Sequence, residues 1–255
     1  MGHSLQNKVL ISTRPLGQNT ELKNLLEKEG AVLLEMPTIK IESAQLKGSE
    51  KAILKELRQF TWIVFTSPNG IHFFFKQIKM INGNYRLPAS IKIAVVGTKS
   101  KSVLLSYGYE TCIDNSGNTG FELANELLPA INNSDHILFP EGNIARGTIA
   151  KILSQKAKCT SLVVYNNQQP ESVNTDILNR VLENNYDYII VTSPSGIKHL
   201  LMLLPPEFKP KQLRLISIGT TTSDEALSLG IVPLSTAKMS NAFGIFEAIQ
   251  QIEKV

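Results

Sequence analysis

The segment WIVFTSPNGI at residues 62–71 recurs as YIIVTSPSGI at residues 188–197. A second pair of matching segments follows in the same order, IAVVGT at residues 93–98 and LISIGT at residues 215–220. Two matching blocks at nearly constant separation are hard to obtain by chance. The chain therefore contains an internal duplication.

Each copy begins with a run of four or five apolar residues, rich in β-branched types, and then turns to Ser, Pro or Gly. This pattern is typical of strands that are buried on both faces, and it favours a parallel sheet with crossover helices. Helix signals alternate with the strands. Capping boxes, in which a Thr precedes a Glu by three residues, are predicted at Thr119–Glu122 and at Thr222–Glu225.

The two copies are not arranged in tandem. The first copy continues into a further strand and helix at residues 136–157, whereas the second has no such continuation. A similar strand and helix lie at residues 9–30, so we expect the N-terminal segment to complete the sheet of the C-terminal half. The predicted fold class is α/β, with two similar parallel-sheet domains of the flavodoxin/Rossmann-like, three-layer type. One domain is discontinuous, and a two-stranded linker joins the two.

The domain boundaries follow from this arrangement. We predict a discontinuous domain of residues 1–36 plus 171–255 and an inserted domain of residues 43–161. The linkers are residues 37–42 and 162–170, which look extended and contain or end in proline. A double linker of this kind predicts a hinge with a cleft beneath it.

The overall composition limits the classes of function. A hydrophobic content of 42% with 19% charged residues is ordinary for a soluble globular protein. No apolar run approaches the ~20 residues of a membrane helix, and the N-terminal residues do not read as a secretory signal. The net charge of +4 is not clustered, which argues against nucleic-acid binding. We expect a cytoplasmic monomer.

Several common site signatures are missing from the sequence. The two Cys and four His residues have no metal-ligand spacing, so we expect no metal. Neither a dinucleotide-binding G-x-G-x-x-G after the first strand nor a P-loop is present. The G-x-S-x-G elbow of acyl hydrolases is also missing.

Candidate site residues follow the strands of the duplication. Ligands of open parallel sheets bind beyond the carboxyl ends of the strands. Ser67-Pro68 and Ser193-Pro194 read as helix N-caps followed by Pro, and such a helix start points backbone N–H groups at an anion. The Gly-Thr segments at residues 97–98 and 219–222 repeat this arrangement one strand further along. A purely stabilising role for each cap stays open.

Three further residues are singled out by their position. Arg14 and Arg146 each follow a strand and could hold a carboxylate by bidentate pairing, or could be solvated surface residues. Tyr165 lies in a predicted linker, where it could face the cleft or pack against a domain edge.

Together these segments resemble the uroporphyrinogen-III synthase family. The likeness rests on TSPNG at residues 66–70, TSPSG at 192–196, IGTTT at 218–222 and VVY at 163–165. It extends to the Arg-containing segments near residues 14 and 146, and so covers essentially the whole chain. The family has two α/β domains on a two-stranded connection, the outer one built from both chain ends.

The resemblance implies a cofactor-free lyase that cyclises hydroxymethylbilane to uroporphyrinogen III, with loss of water and inversion of ring D. It makes Tyr165 the candidate catalytic acid, because a phenol is protonated at neutral pH. The implied substrate-binding residues are Arg14, Thr66, Ser67, Asn69, Gly70, Thr98, Arg146, Ser193, Ser195, Gly196, Gly219, Thr220, Thr221 and Thr222.

Two other functions fit parts of the sequence. A two-domain anion-binding or sensor protein of the periplasmic-binding type would use the same hinge without chemistry. A nucleotide-using enzyme of flavodoxin-like fold would need phosphate loops that the sequence does not contain.

Overall fold

The computed structural model describes residues 5–113 and 119–253. Strands and helices alternate along most of this chain. The strands are β1 (Val9–Ser12), β2 (Val32–Glu35), β3 (Lys40–Ser43), β4 (Trp62–Phe65), β5 (Lys92–Val95), β6 (His136–Gly142), β7 (Lys158–Gln168), β8 (Tyr188–Val191), β9 (Leu215–Ser217) and β10 (Ser235–Thr236). The helices are α1 (Thr20–Lys28), α2 (Gly48–Lys55), α3 (Pro68–Asn82), α4 (Gly97–Ser106), α5 (Gly120–Leu127), α6 (Thr148–Leu153), α7 (Thr175–Leu182), α8 (Pro194–Met202), α9 (Thr220–Ser228) and α10 (Ala242–Glu253).

The chain divides into two compact units. The first contains the described residues up to Lys40 and from Gln168 onward, and the second contains Ile41–Asn167. The first unit is therefore built from both ends of the chain. This confirms the predicted discontinuous architecture, in which an N-terminal segment completes the C-terminal half.

The first unit holds a five-stranded sheet in the order β10-β9-β8-β1-β2. The four pairs of neighbouring strands are parallel. Alternate residues of each strand enter two separate apolar clusters, Leu10 joining α1 and α10, and Ile11 joining α7, α8 and α9. Helices therefore cover both faces of the sheet, and the unit has three layers.

The second unit repeats this plan with a sheet in the order β3-β7-β6-β4-β5. Its parallel core is β7-β6-β4-β5. Ile63 and Phe65 face the cluster of α2, α3 and α4, whereas Trp62 and Val64 face that of α5 and α6. The long apolar runs of the sequence reflect this burial on both faces.

The two sheets correspond strand by strand over four positions, with β2-β1-β8-β9 matching β7-β6-β4-β5. Ile11 is paired with Ile189, and Leu138 is paired with the matching Ile63. Counting along the strands from these pairs places Arg14 and Glu141 at equivalent positions. The fifth strand differs, because β10 extends the first sheet beyond β9 and β3 extends the second beyond β7.

The structure differs from the predicted second linker, residues 162–170. Leu162–Gln168 forms the outer half of β7 and pairs with β6 along much of this length. Leu162 and Val164 are buried in the core, so the apolar run that was assigned to a linker is a core strand. In the other predicted linker, residues 37–42, β3 begins at Lys40, and the chain passes from the first unit to the second after Lys40.

Candidate functional site at the carboxyl ends of the strands

Polar residues of the first unit gather where β1 and β8 end. Thr13 is buried, and its hydroxyl donates to the carbonyl of Ile190 over 3.0 Å. The next residue, Arg14, is half-buried, and its Nε has no hydrogen-bond partner among the described residues. Burial lowers the pKa of the Arg14 guanidinium, and the charge of Glu21 partly opposes this shift. Arg14 is thus a desolvated cation with a free donor.

The Ser193 segment forms the helix start that the sequence predicts. Ser193 Oγ accepts from the backbone N–H of Gly196 over 3.1 Å, and Pro194 occupies the first position of α8. The hydroxyl of Ser195 lies 3.3 Å from that of Ser193. The carbonyl of Gly196 accepts from the hydroxyl of buried Thr38 over 3.0 Å. Ser193, Ser195 and Gly196 therefore share one turn beside the end of β1.

Gly219 and the three threonines after it form the start of α9, with different exposures. Thr220 and Thr221 are exposed in the first turn, whereas Thr222 is buried. The predicted capping box at Thr222–Glu225 is wrong, because α9 already begins at Thr220 and the N–H of Thr222 donates to the Gly219 carbonyl. Thr222 is therefore a buried residue in the first turn of α9 and not its N-cap. The other predicted capping box, Thr119–Glu122, is confirmed at the start of α5.

The second unit places the Ser67 segment at the end of β4 with the same cap. Ser67 Oγ accepts from the N–H of Gly70 over 3.1 Å, and Pro68 starts α3. Thr66 is exposed, and Asn69 is half-buried in the first turn. A Cβ on Gly70 would lie 2.8 Å from the Pro140 carbonyl, so this position needs glycine.

Tyr165 lies beside this cap rather than in a linker. Its hydroxyl is 3.3 Å from Ser67 Oγ, and its ring stacks on Phe73 with ring centres 5.5 Å apart. The ring also covers Gly142, where a Cβ would lie 2.6 Å from the ring carbons. Gly142 is thus needed for the close approach of the tyrosine. Tyr165 is held on two sides with its hydroxyl at the helix start.

A pocket of about 260 Å³ opens at the same edge of the second sheet. It brings together the predicted residues Thr66 and Arg146, the latter exposed. Sequence reasoning missed two other lining residues, Glu141 and Phe121. Burial raises the pKa of the Glu141 carboxyl, and a hydrogen bond with Ser161 partly opposes this shift. The sequence contains a signal for Phe121, because this residue and Phe243 are separated by the same interval as the IAVVGT and LISIGT segments and therefore align in the duplication.

Thr98 stands apart from these groups, exposed in the first turn of α4. The starts of α4 and α9 share one property. Within residues 5–113 and 119–253, neither start has a side-chain hydrogen bond at its cap, unlike the Ser-capped α3 and α8. Their first-turn N–H groups are therefore less satisfied, and such groups favour anions.

Two features that are absent from the described residues bear on the class of site. No group of His, Cys, Asp and Glu within the described ranges is arranged to hold a metal ion. In the same part of the chain, no helix is both long and apolar enough to cross a membrane. Cys112 is exposed and Cys159 is half-buried, and both are free thiols.

These features define a class: a two-unit, doubly wound α/β protein with paired Ser-capped helix starts at the carboxyl edges of its sheets. Comparison with known proteins identifies the family. The family model of uroporphyrinogen-III synthase HemD matches residues 20–247. The chain belongs to this family of tetrapyrrole-synthesising lyases.

Individual relatives agree with this assignment. The chain is 26% identical over 227 residues to the uroporphyrinogen-III synthase of Chlorobaculum parvum, covering 88% of this chain and 90% of that one. It is 26% identical over 253 residues to a putative uroporphyrinogen-III synthase of Methanocaldococcus jannaschii, covering 97% and 99%. The crystal structure of uroporphyrinogen-III synthetase from Helicobacter pylori shares the fold, with a TM-score of 0.64, 15% identity and coverage of 97% and 100%.

Proposed function

We propose that this chain cyclises hydroxymethylbilane to uroporphyrinogen III, and that the carboxyl edges of its two sheets hold the substrate. Family membership defines the reaction. The observation that carries the assignment of the site is the repeated helix start at one topological position in both units. Helix starts grip carboxylates through backbone N–H groups, and the substrate carries an acetate and a propionate on every ring.

The reaction sets a geometric task. Loss of the terminal hydroxyl as water leaves an electrophilic azafulvene, which the substituted end of ring D attacks. The resulting spiro intermediate fragments and recloses with ring D inverted. The net change is the loss of one water with no change of oxidation state. Without an enzyme the chain ends join directly, so the catalyst has to hold a flexible polyanion in the productive arrangement.

The substrate carboxylates are proposed to bind at two kinds of position. The first is the set of helix starts, where α4 and α9 offer N–H groups without a side-chain cap among the described residues. The second is the arginines. Arg14 is the stronger candidate, because a half-buried guanidinium with a free Nε forms stronger ion pairs than an exposed one. Arg146 serves the pocket of the second unit.

Tyr165 is the proposed acid for the loss of the hydroxyl. Its hydroxyl lies at the start of α3, and its ring is fixed by Phe73 and Gly142. A proton donor helps a hydroxyl to leave because water is a far better leaving group than hydroxide. The remaining proposed binding residues surround these groups at the strand ends.

We also propose, from the composition and the unclustered net charge of +4, a cytoplasmic monomer that binds neither nucleic acid nor membrane. Light scattering of the purified protein tests the monomer. A mass twice that of the chain at working concentration would contradict it.

One assay tests the function. Purified protein receives freshly made hydroxymethylbilane without added cofactor, the products are oxidised, and isomers I and III are separated by chromatography. We expect isomer III to dominate over a protein-free control. Isomer I alone, together with saturable binding of hydroxymethylbilane, would favour the anion-binding alternative instead.

A further inference from the structure

The two Ser-capped helix starts differ in what lies beside the serine. Both Ser67 and Ser193 accept from a backbone N–H over 3.1 Å. Beside Ser67 Oγ stands the phenol oxygen of Tyr165 at 3.3 Å, whereas beside Ser193 Oγ stands the hydroxyl of Ser195 at 3.3 Å. A cap needs only the first of these bonds, so the second contact of Ser67 requires its own explanation.

The hydrogen-bonding capacity of a serine hydroxyl restricts that contact. The oxygen has one proton to donate and two lone pairs to accept with. One lone pair of Ser67 is used by the N–H of Gly70. Ser67 can still donate its proton to Tyr165, and then the phenol proton is free for another acceptor. In the opposite arrangement Tyr165 would donate its phenol proton to Ser67, and no proton would remain for another acceptor.

The other contacts of Tyr165 hold its ring in place but do not orient its hydroxyl. Phe73 stacks on one side, with the two ring planes 25° apart, and Gly142 allows the ring to lie directly on β6. These contacts leave rotation of the phenol O–H unrestricted. Among the described hydrogen bonds, Ser67 supplies the partner of the Tyr165 hydroxyl.

We propose that Ser67 is a positioning residue for Tyr165, donating its hydroxyl proton to the phenol oxygen so that the phenol proton points at the substrate. This inference rests on the proposed role of Tyr165. The phenol proton passes to the terminal hydroxyl of the substrate, the carbon–oxygen bond breaks with its electron pair, and water leaves. The phenolate is stabilised by the hydrogen bond from Ser67. It regains a proton from the carbon that closes the macrocycle, when that pyrrole becomes aromatic again.

The test is a double-mutant cycle read in kcat and KM for isomer III. Ser67→Ala is expected to lower kcat about fivefold with KM little changed, since one net hydrogen bond is lost near the reacting group. Tyr165→Phe is expected to lower kcat by tenfold or more. In the Tyr165→Phe background, Ser67→Ala is expected to have no further effect on kcat, because its partner has gone.

Two variants separate positioning from the loss of a helix cap. Ser67→Thr keeps a hydroxyl and is expected to recover most of the kcat. Ser193→Ala loses the matched cap bond, and its effect is expected to be independent of Tyr165→Phe, so that the two changes multiply. Thermal unfolding of both alanine variants measures the loss of the caps themselves.

The outcomes distinguish the two levels of the proposal. A normal kcat in Ser67→Ala beside a slow Tyr165→Phe overturns the role of Ser67 and leaves that of Tyr165. If the double variant loses kcat by the product of the two single losses, the role of Ser67 is overturned as well. A normal kcat in Tyr165→Phe removes the proposed acid and, with it, the reason for positioning.

Discussion

The two halves of the duplication have the same serine helix cap and differ in the side chains around it. In both units a serine caps the helix after the matching strand, β8 in the first unit and β4 in the second, and accepts the same 3.1 Å bond from the backbone N–H of the glycine three residues on. The hydroxyl beside the capping serine differs: it belongs to Tyr165 in the second unit and to Ser195 in the first. Duplication has thus kept the Ser-capped helix start and changed the side chains beside it.

The matched pair Arg14 and Glu141 shows the same divergence in charge. Arg14 follows β1 and Glu141 lies near the end of the equivalent strand β6; both are half-buried, and burial shifts the pKa of each. One is a cation and the other an acid. The edge of the first sheet is therefore better suited to a carboxylate. In the second unit the exposed Arg146 has to offset Glu141 before an anion is attracted.

The largest effect is expected from removing the buried cation. Arg14→Ala should raise KM for hydroxymethylbilane about 10- to 100-fold, because charge-assisted bonds are worth about 1.5–3 kcal/mol. Arg146→Ala should raise KM only a few-fold, since an exposed ion pair is worth about 0–1 kcal/mol. Steady-state kinetics of isomer III formation measures both changes.

Arg14→Lys is the matched control, keeping the charge without the planar fork of donors. An intermediate KM is expected for it. Equal KM changes in Arg14→Ala and Arg146→Ala would show that burial of the guanidinium does not strengthen binding, and the proposed ranking of the two edges would be lost.

The next effect concerns the glycines that follow the two caps. Gly70→Ala places a Cβ 2.8 Å from a backbone carbonyl, that of Pro140, which cannot move freely. Overpacking of this kind costs about 1–3 kcal/mol. A Cβ on Gly196 meets Ser193 Oγ at 3.2 Å and the side chains of Ile39 and Thr13 at 3.5 and 3.6 Å. Gly196→Ala should therefore cost less than about 1 kcal/mol, since Ala also favours the helix.

Urea or thermal unfolding of the two variants measures this difference. A chain of two compact units need not unfold in a single transition, so every transition should be followed in both variants. Greater destabilisation by Gly196→Ala than by Gly70→Ala would mean that the two strand ends are packed differently from the arrangement described.

A smaller effect is expected at the two aligned phenylalanines. Phe121 and Phe243 are 61% and 46% exposed in the first turns of α5 and α10. An exposed aromatic ring beside a substrate made of pyrroles can stack on it, with about 0.5–1.5 kcal/mol per pair. Phe121→Ala should raise KM by roughly 2- to 10-fold with little change in stability, because Phe121 lines the pocket. Phe243→Ala serves as the matched variant, and a KM increase confined to it would contradict the placement of a ring in the pocket of the second unit.

The duplication made most of the fold predictable. Strands buried on both faces leave continuous apolar runs, and the repeat located β4, β5, β8 and β9 together with the caps on α3 and α8. The discontinuous unit could be predicted because one copy lacked a strand and helix that the chain start supplies. The segment 162–170 was assigned to a linker because a proline lies nearby; the units do divide within it, after Asn167, while burial of Leu162 and Val164 makes its first part a core strand of the second unit as well.

The site was less predictable, because it depends on residues brought together from separate strands. The caps Ser67 and Ser193 have local signals in Ser-Pro and could be found. The contact between Ser67 and Tyr165 joins the N-cap of α3 to β7, and no spacing in the sequence indicates it. Glu141 was missed because a single carboxylate near the end of a strand forms no recognisable pattern. Whether the second copy makes more contacts with the substrate, as Ser195 in place of Asn69 suggests, stays a prediction.

The smallest effect is the pH dependence of stability that arises from Glu141 in the second unit. Burial raises the pKa of Glu141 above its ordinary value of 4.5, so the folded protein holds this proton more tightly than the unfolded chain. Below the pKa of the unfolded chain, Glu141 is protonated in both states and costs no stability. As the pH rises from there through the pKa of the folded state, ionisation of Glu141 destabilises the fold. The free energy of unfolding of the wild type, compared with Glu141→Gln, should fall over this window and then level off. The change should be small because Glu141 is only half-buried and water screens it. A rising difference would mean that the ionised carboxylate is the stabilised form, held by Arg146 across the pocket, and the charge contrast between the two sheet edges would then be weaker than their sequences suggest.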